Sequence, residues 1–166
     1  MSTSIKMPEG VKAQVEGTEL VVSGKAGSVR RPFDPRKLSV EVKGDEVVLS
    51  GKSTSLLNAY ASHVRNMAKG ASEGYSVNMQ VVHSHFPISV EAKGNQIFIK
   101  NFIGEKKPRI ASIVGSTKVA PKGQTVIISG PSKEDVGQTV SNIRSALRIG
   151  KRDSRIFQDG LYVVES

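Results

Sequence analysis

Apolar and polar residues alternate along two stretches near the start of the chain, and a turn interrupts each stretch. Residues 11–15 alternate, 16–18 supply a turn, and 20–22 form an apolar run. The same order recurs over 38–49, where 43–45 supply the turn. Period-two alternation is typical of half-buried strands, so the pattern predicts two β-hairpins.

A helical period replaces the alternation after Gly51. The apolar positions that follow fall at helical spacing on one face: Leu56, Leu57, Tyr60, Val64 and Met67. Ser53 or Thr54 is a suitable N-cap, and Gly70 or Gly74 is a suitable end. The pattern therefore predicts one amphipathic helix whose apolar face covers the sheets.

The second half of the chain repeats this order of elements. Gly17 meets Gly94 at an offset of 77, and residues 47–51 meet 126–130 at an offset of 79. A second helix is predicted after Ser132, with an apolar stripe at Val136, Val140, Ile143 and Leu147. We infer an α+β fold made by tandem duplication of a small domain, each copy having antiparallel sheets and one α-helix around a single core. The predicted domains are an N-terminal copy, 1–80, and a C-terminal copy, 81–166.

Composition excludes several classes of protein. The 166 residues include no cysteine, so disulfides and Cys-based metal sites are absent, which fits a reducing cytoplasm. No apolar run approaches the roughly 20 residues that a membrane helix needs. Residues 1–10 contain no apolar segment typical of a secretory signal.

Residue counts leave catalytic interpretations with little support. His63 is predicted on the polar face of the first helix, while His83 and His85 lack a third ligand for a metal. Gly51, Lys52 and Ser53 resemble the end of a phosphate-binding loop, but Glu46 stands where that motif needs glycine. We therefore expect no catalytic residues, no metal and no cofactor, and a strand-to-helix turn at 51–53.

Basic residues carry the strongest functional signal. The formal net charge is +9, and 81–166 contain 13 basic and 7 acidic residues against 11 and 8 in 1–80. Such a surplus favours an anionic partner, and arginine suits phosphate because its fork can bind two oxygens. Since no helix pairs a basic face with large aromatic anchors, and no DNA-reading motif is present, we favour folded RNA over a membrane or DNA. Basic residues cluster in loops of both copies: Arg30, Arg31, Arg36 and Lys37 in the first, and Lys106, Lys107 and Arg109 in the second.

The C-terminal string 152–163 carries a recognisable motif. It contains an R-x-F-x-D-G-aliphatic-Y core, formed by Arg155, Phe157, Asp159, Gly160 and Tyr162. The opening residues 7–11 (MPEGV) are a second recognisable segment. In these features the chain resembles the archaeal and eukaryotic branch of the large-subunit ribosomal protein L-six family. We expect Phe157 and Tyr162 to be core residues of a final strand, with Asp159 and Gly160 at its turn.

The resemblance implies a structural role in the cytoplasmic ribosome and no enzymatic activity. It implies binding to large-subunit, 23S-type rRNA near the sarcin–ricin loop and the factor-binding region, mainly through the C-terminal domain. Neighbouring large-subunit ribosomal proteins are the other expected partners, and homo-oligomers are not expected. The candidate rRNA contacts, chosen by charge and position, are Lys106, Lys107, Arg109, Lys118, Lys122, Arg148, Lys151, Arg152 and Arg155. The alternative is a two-module adaptor that binds protein partners without RNA.

Overall fold

Strands dominate the architecture, which was obtained as a computed structural model describing residues 1–82, 86–150, 153, 155–156 and 158–164. The strands of the first half are β1 (Ser2–Lys6), β2 (Lys12–Glu16), β3 (Glu19–Gly24), β4 (Gly27–Pro32), β5 (Leu38–Lys43) and β6 (Glu46–Gly51). Those that follow are β7 (Tyr75–Val82), β8 (Ser89–Lys93), β9 (Gln96–Lys100), β10 (Arg109–Ser112), β11 (Lys118–Lys122), β12 (Thr125–Gly130) and β13 (Gly160–Val164). The helices are α1 (Thr54–Ser72) and α2 (Lys133–Ala146), with a 3-10 turn at Phe102–Gly104.

The chain divides into two compact units. The first comprises Met1–Tyr75 with Pro131–Lys133, and the second comprises Ser76–Gly130 with Glu134–Ser166. The strand β7 belongs to a sheet of the second unit. The predicted α+β class with antiparallel sheets and one helix per copy is confirmed.

Two three-stranded antiparallel sheets and α1 enclose the core of the first unit. The sheets have the strand orders β1-β6-β5 and β2-β3-β4. Both predicted hairpins are present, with Val15 opposite Leu20 in one and Val42 opposite Val47 in the other. The helix contacts strands of both sheets. Fully buried Leu20, Val47 and similar side chains therefore meet the helix in one core.

The predicted start and end of α1 are confirmed. The Ser53 hydroxyl accepts a hydrogen bond from the Leu56 amide at 3.4 Å, and Gly74 at φ 79° follows the C-cap. Most of the predicted apolar stripe is buried, namely Leu57, Tyr60, Val64 and Met67. Leu56 departs from the prediction, since it is 37% exposed. It lies about 100° around the helix axis from Leu57, which takes the inward position.

The second unit has the same plan with one added strand. Its sheets have the orders β10-β9-β8 and β11-β12-β7-β13, all with antiparallel pairing where the register is defined. The predicted stripe of α2 is confirmed, because Val136, Val140, Ile143 and Leu147 are all buried. Together with Ile97, Ile99 and other strand residues they form the core of this unit.

Equivalent turns support the duplication. Gly17 and Gly94, 77 residues apart, both adopt φ 60°, and Gly44 and Gly123, 79 apart, adopt 60° and 59°. A left-handed conformation at these four turns favours glycine, because a Cβ there would be strained. The two copies therefore share hairpin geometry as well as sequence.

The final strand differs from the prediction at Tyr162. Leu161 faces the core at 3% exposure, so its neighbour Tyr162 points to the other side of the sheet and is 45% exposed. The Tyr162 hydroxyl donates to the Gln158 carbonyl at 2.9 Å. The prediction that Tyr162 is a core residue is therefore wrong, while Phe157 lies outside the described residues.

Candidate nucleic-acid interface

The loop 101–108 connects β9 to β10 and has an unusual backbone. Asn101 and Ile103 adopt left-handed φ angles of 59° and 54° around the 3-10 turn. A β-branched residue in this region costs about 1–3 kcal/mol and persists only where the surroundings hold it. Phe102, at 1% exposure, is buried in the core and supplies such an anchor.

Two predicted rRNA contacts, Lys106 and Lys107, are presented by this loop. Both are exposed, and among the residues that the structure describes neither has a hydrogen-bonding or ion-pairing partner. Two adjacent exposed ammonium groups, neither of them paired with a described carboxylate, suit an anionic ligand.

Arg109 follows the loop and is held by contacts on several sides. Its guanidinium pairs bidentately with Glu105, with Nη2–Oε1 at 2.7 Å and Nε–Oε2 at 3.0 Å. It lies 4.6 Å from the centroid of the Phe102 ring. Its Nη1 donates to the carbonyls of Ala146 at 2.9 Å and Arg148 at 2.7 Å. The hydrogen bonds that Arg109 donates to Glu105 raise the pKa of Arg109, so the guanidinium stays charged.

In the first unit, the end of the helix α1 is contacted by a backbone amide and not by an arginine side chain. A turn of two residues, 25–26, connects β3 to β4, where the second unit has the eight-residue loop 101–108. The Ala26 amide donates to the Ala71 carbonyl at 2.8 Å, so a backbone group satisfies the end of α1. In the second unit the Arg109 side chain performs this task for α2.

The residue type at the strand position of Arg109 also differs between the two units. Arg109 lies opposite Ile99, and in the first unit Val29 lies opposite Val22. Val29 is partly buried and packs against the core. An apolar position of the first copy is therefore a cation in the second.

Lys118 and Lys122 lie on β11, at the edge of the four-stranded sheet. Both are exposed, and since they are four residues apart on a strand they share one face with Ala120. Within the described part of the chain neither ammonium has a carboxylate partner. Pro121 between them lacks an N–H, which discourages further strand pairing at this edge.

Arg148 and a residue that sequence reasoning missed, Arg144, lie along α2 and its end. They line a shallow groove of about 460 Å³ together with Gly137, Val140, Ser141 and Ser145. Both arginines are exposed, and neither guanidinium has a partner among the described residues. Arg144 lies four residues before Arg148 in the sequence, and this proximity to a basic candidate at the end of the predicted helix is the signal that could have identified Arg144.

The predicted contacts nearest the C-terminus are only partly described. Arg155 is exposed and donates to the Asp153 carboxylate, with Nη2–Oδ2 at 3.2 Å and Nε–Oδ1 at 3.3 Å. These hydrogen bonds hold the pKa of Asp153 below its usual range. Lys151 and Arg152 lie outside the described residues.

Two other lysines of the second unit, Lys93 and Lys100, share one carboxylate. Glu91 pairs with Lys100 at 3.1 Å and with Lys93 at 3.7 Å. The Lys100 hydrogen bond and charge lower the pKa of Glu91, so the carboxylate is ionised at neutral pH. The two lysines of the β8–β9 hairpin therefore have a carboxylate partner, whereas Lys106, Lys107, Lys118 and Lys122 have none among the described residues.

Two of the four basic residues in the cluster of the first unit, Arg30 and Arg31, have partners within that unit. Arg30 lies 3.6 Å from Glu16 and 3.8 Å from Glu19. Arg31 donates from Nη2 to Nε2 of His63 at 3.1 Å, and His63 is half-buried. His63 is thus a hydrogen-bond acceptor for an arginine, whereas a solvated residue was expected. Arg36 and Lys37 are exposed.

Motifs that resembled ligand sites have structural roles. Lys52 is exposed and Ser53 caps α1, as the strand-to-helix interpretation predicted. Across the described residues, no group of three or more potential metal ligands is found. His83 and His85 lie outside the described residues. No described helix has the length and apolarity required to cross a membrane.

A duplicated α+β chain with exposed cations that lack partners among the described residues is typical of a structural module that binds nucleic acid. Residues 7–74 and 86–160 match the family model described as ribosomal protein L6. The chain belongs to the ribosomal protein L6 family.

Curated relatives match over nearly the whole chain. The large ribosomal subunit protein uL6 of Methanocella arvoryzae is 44% identical over 165 residues, covering 96% of this chain and 93% of the relative. The uL6 of Methanosarcina mazei is 41% identical, covering 99% and 97%. The uL6 of Natronomonas pharaonis is 40% identical, covering 100% and 97%. The predicted family is confirmed, as is the expectation of a ribosomal protein located in the ribosome, without enzymatic activity.

Proposed function

We propose that this protein is a structural constituent of the large ribosomal subunit whose second unit binds large-subunit rRNA near the sarcin–ricin loop and the factor-binding region. The observation that carries the proposal is a set of exposed cations without partners among the described residues: Lys106, Lys107, Lys118, Lys122 and Arg148. Phosphate groups would supply the missing counter-charge, and release of their bound ions would drive association.

Arg144 extends this set along α2, next to Arg148. Lys151 and Arg152 follow in sequence and would add two more cations. Arg155 would exchange its Asp153 partner for phosphate, at the cost of leaving that carboxylate unpaired. Backbone contacts of this kind hold the protein in position, while the folded shape of the RNA supplies specificity.

The placement near the sarcin–ricin loop rests on the family resemblance of the C-terminal motif. The neighbouring ribosomal proteins that the relatives' names imply would complete the environment of the chain. The charge distribution favours the second half of the chain as the rRNA-binding part, because residues 81–166 contain 13 basic and 7 acidic residues against 11 and 8 in residues 1–80.

Sedimentation tests the ribosomal assignment. Tagged protein from cell extract is sedimented through a sucrose gradient before and after subunit dissociation. We expect migration with the large subunit in both cases and release by RNase. Protein that stays at the top of the gradient, or a complex that survives RNase treatment, would contradict the proposal and favour a protein-binding adaptor.

Footprinting tests the location. Large-subunit rRNA is probed with hydroxyl radicals with and without the purified protein. We expect protection at or beside the sarcin–ricin loop, and loss of that protection for the Lys106→Ala, Lys107→Ala double variant. Protection confined to a distant rRNA segment would reject the placement and retain rRNA binding.

A further inference from the structure

We propose that Arg109 is a positioning residue for rRNA binding. With Glu105 it fastens the loop 101–108 to the end of α2, so that Lys106, Lys107 and Arg148 form one phosphate-binding surface. This inference rests on the proposed function, because it names how that same surface is built.

The Arg109 guanidinium contacts both basic segments, the loop 101–108 and the residues after α2. It donates to the carboxylate of Glu105, the residue that directly precedes Lys106, and to the carbonyl of Arg148 at 2.7 Å. A guanidinium spans only a few ångströms, so the two segments meet at Arg109. Without this connection each segment would have to be ordered separately when RNA binds, which costs conformational entropy.

The guanidinium suits this place because it lies at a helix end. The last carbonyls of a helix lack partners within the helix and carry partial negative charge. Arg109 donates to the carbonyl of Ala146, the last residue of α2, and to that of Arg148 just beyond the helix, and it places a positive charge beside them. The Phe102 ring supports the guanidinium on one face, and that ring is itself buried.

The first unit shows that the fold does not require this arginine. There Val29 occupies the corresponding strand position, and the Ala26 amide closes the end of α1. The arginine occurs in the copy whose connection is eight residues long and carries the lysine pair. Its presence is therefore better explained by the need to hold that loop than by the need to complete the sheet.

Arg109 is poorly placed to bind phosphate itself. Four hydrogen bonds use most of its five N–H donors, and its side chain is only 23% exposed. The Glu105 carboxylate beside it would repel an approaching phosphate. A phosphate contact would have to displace these partners, whereas neither Lys106 nor Lys107 has a partner to displace in the described part of the chain.

A salt titration separates positioning from direct contact. Binding to a large-subunit rRNA transcript is measured at 25 °C over a series of salt concentrations for Arg109→Lys, Arg109→Ala and a double variant, Lys106→Ala with Lys107→Ala. Each phosphate contact contributes roughly 0.9 to the slope of log affinity against log salt. We expect the double variant to lower the slope by roughly 2, since it removes two contacts.

For both Arg109 variants we expect about tenfold weaker binding with an unchanged slope, because the phosphate contacts still form but are no longer preorganised. Lysine keeps the charge and loses the fork, so it should not rescue binding. If Arg109→Lys binds as wild type while Arg109→Ala lowers the slope by roughly 1, Arg109 is a phosphate contact and the proposal is overturned.

Replacing Glu105 by Gln is a second test, because the loss of charge and the loss of positioning are expected to change rRNA affinity in opposite directions. Removal of a negative charge from an RNA-binding surface ordinarily strengthens binding. Because Glu105 holds Arg109 in place, we expect Glu105→Gln to weaken binding several-fold. Equal or stronger binding by Glu105→Gln would contradict the positioning role.

Arg30→Lys is the matched control, since Arg30 is an exposed arginine paired with carboxylates in the first unit. Its affinity and slope should equal those of wild type. Thermal unfolding of every variant must begin well above 25 °C, so that loss of binding is not loss of fold. If the Arg109 variants are stably folded and bind rRNA as tightly as wild type, Arg109 has a structural role only and the positioning proposal is overturned. Absence of rRNA binding by wild-type protein would instead reject the proposed function.

Discussion

The backbone amide of Ala26 donates a hydrogen bond to the carbonyl of Ala71 at 2.8 Å, joining the β3–β4 turn to the end of α1. This contact requires the turn to approach the helix very closely. The approach is possible because Gly24, the last residue of β3, has no side chain. A Cβ added to Gly24 would lie 2.6 Å from the Ala71 carbonyl oxygen.

We predict that Gly24→Ala destabilises the protein by about 1–3 kcal/mol, because the turn or the end of α1 must move and the Ala26 hydrogen bond is strained. Urea-induced unfolding followed by circular dichroism measures the change. A variant as stable as wild type would show that the turn does not need this close approach.

The matched glycine-to-alanine control is Gly137→Ala in α2. A Cβ added there would have no heavy atom within 4 Å, and the position is exposed within the helix. Alanine favours the helix over glycine by about 1 kcal/mol, so this variant should be more stable than wild type. A loss of stability would indicate a packing role for Gly137 that the structure does not show.

Phe102 carries the second stability prediction. It is 1% exposed and supports both the strained loop and the Arg109 guanidinium. Phe102→Ala should lower the free energy of unfolding by about 3–5 kcal/mol, as expected for a fully buried aromatic residue. Ile110→Ala is the comparison, because Ile110 is 51% exposed and its loss should cost less than about 1 kcal/mol. Equal losses of stability for the two variants would contradict this account of the core.

The sequence predicts elements well where one face of the element is buried. The hairpins and both helices carry clear apolar periods, and their positions agree with the structure. Strand β1 was missed because Ile5 is its single apolar residue, and β4 because arginines and Pro32 obscure its pattern. Strand β7 was also missed, although Val77, Met79 and Val81 do alternate along it.

Partners of charged side chains were not predictable in the same way. Arg109 is 37 residues from Ala146, and that contact depends on how α2 lies against the sheet. From charge and sequence position alone, Arg109 and Lys106 are therefore equivalent candidates for an rRNA contact. The structure distinguishes them, because one is enclosed by partners and the other is exposed without any among the described residues.

Tyr60 should make stability depend on pH in the alkaline range. Burial raises the pKa of the Tyr60 hydroxyl to about 12, with a smaller opposing effect of Arg31. In the unfolded chain this hydroxyl ionises near pH 10. Its contribution is therefore complete below pH 10 and is lost as pH rises to about 12, because the unfolded state releases its proton first. A rise of two pKa units corresponds to about 2.7 kcal/mol, and solvent screening of the partly exposed hydroxyl reduces the loss to about 2 kcal/mol.

Comparison with Tyr60→Phe isolates this contribution from Tyr75, whose pKa burial also raises. At pH 7 the variant should be about 1 kcal/mol less stable, since the hydroxyl donates to the Arg31 carbonyl at 3.3 Å. Above pH 10 the difference should shrink and then reverse. A constant difference between pH 8 and pH 12 would show that the Tyr60 hydroxyl does not titrate with folding.

The edge strand gives the last prediction. Lys118 and Lys122 share the exposed face of β11, and the structure shows no partner for either ammonium among the residues it describes. If both bind phosphate, the double variant Lys118→Ala with Lys122→Ala should lower the slope of log affinity against log salt by roughly 2. The fold should be unaffected, because exposed substitutions of this kind usually change stability by less than about 0.5 kcal/mol.

Lys43→Ala is the control for this strand experiment. Lys43 is also an exposed lysine on a β-strand, but it lies in the first unit and pairs with Glu41 at 3.6 Å. Its removal should leave the slope unchanged. If Lys43→Ala lowers the slope as much as the loss of a β11 lysine, binding follows total charge and not the surface formed by the second unit. An unchanged slope for the β11 double variant would instead confine the interface to the loop 101–108 and the end of α2.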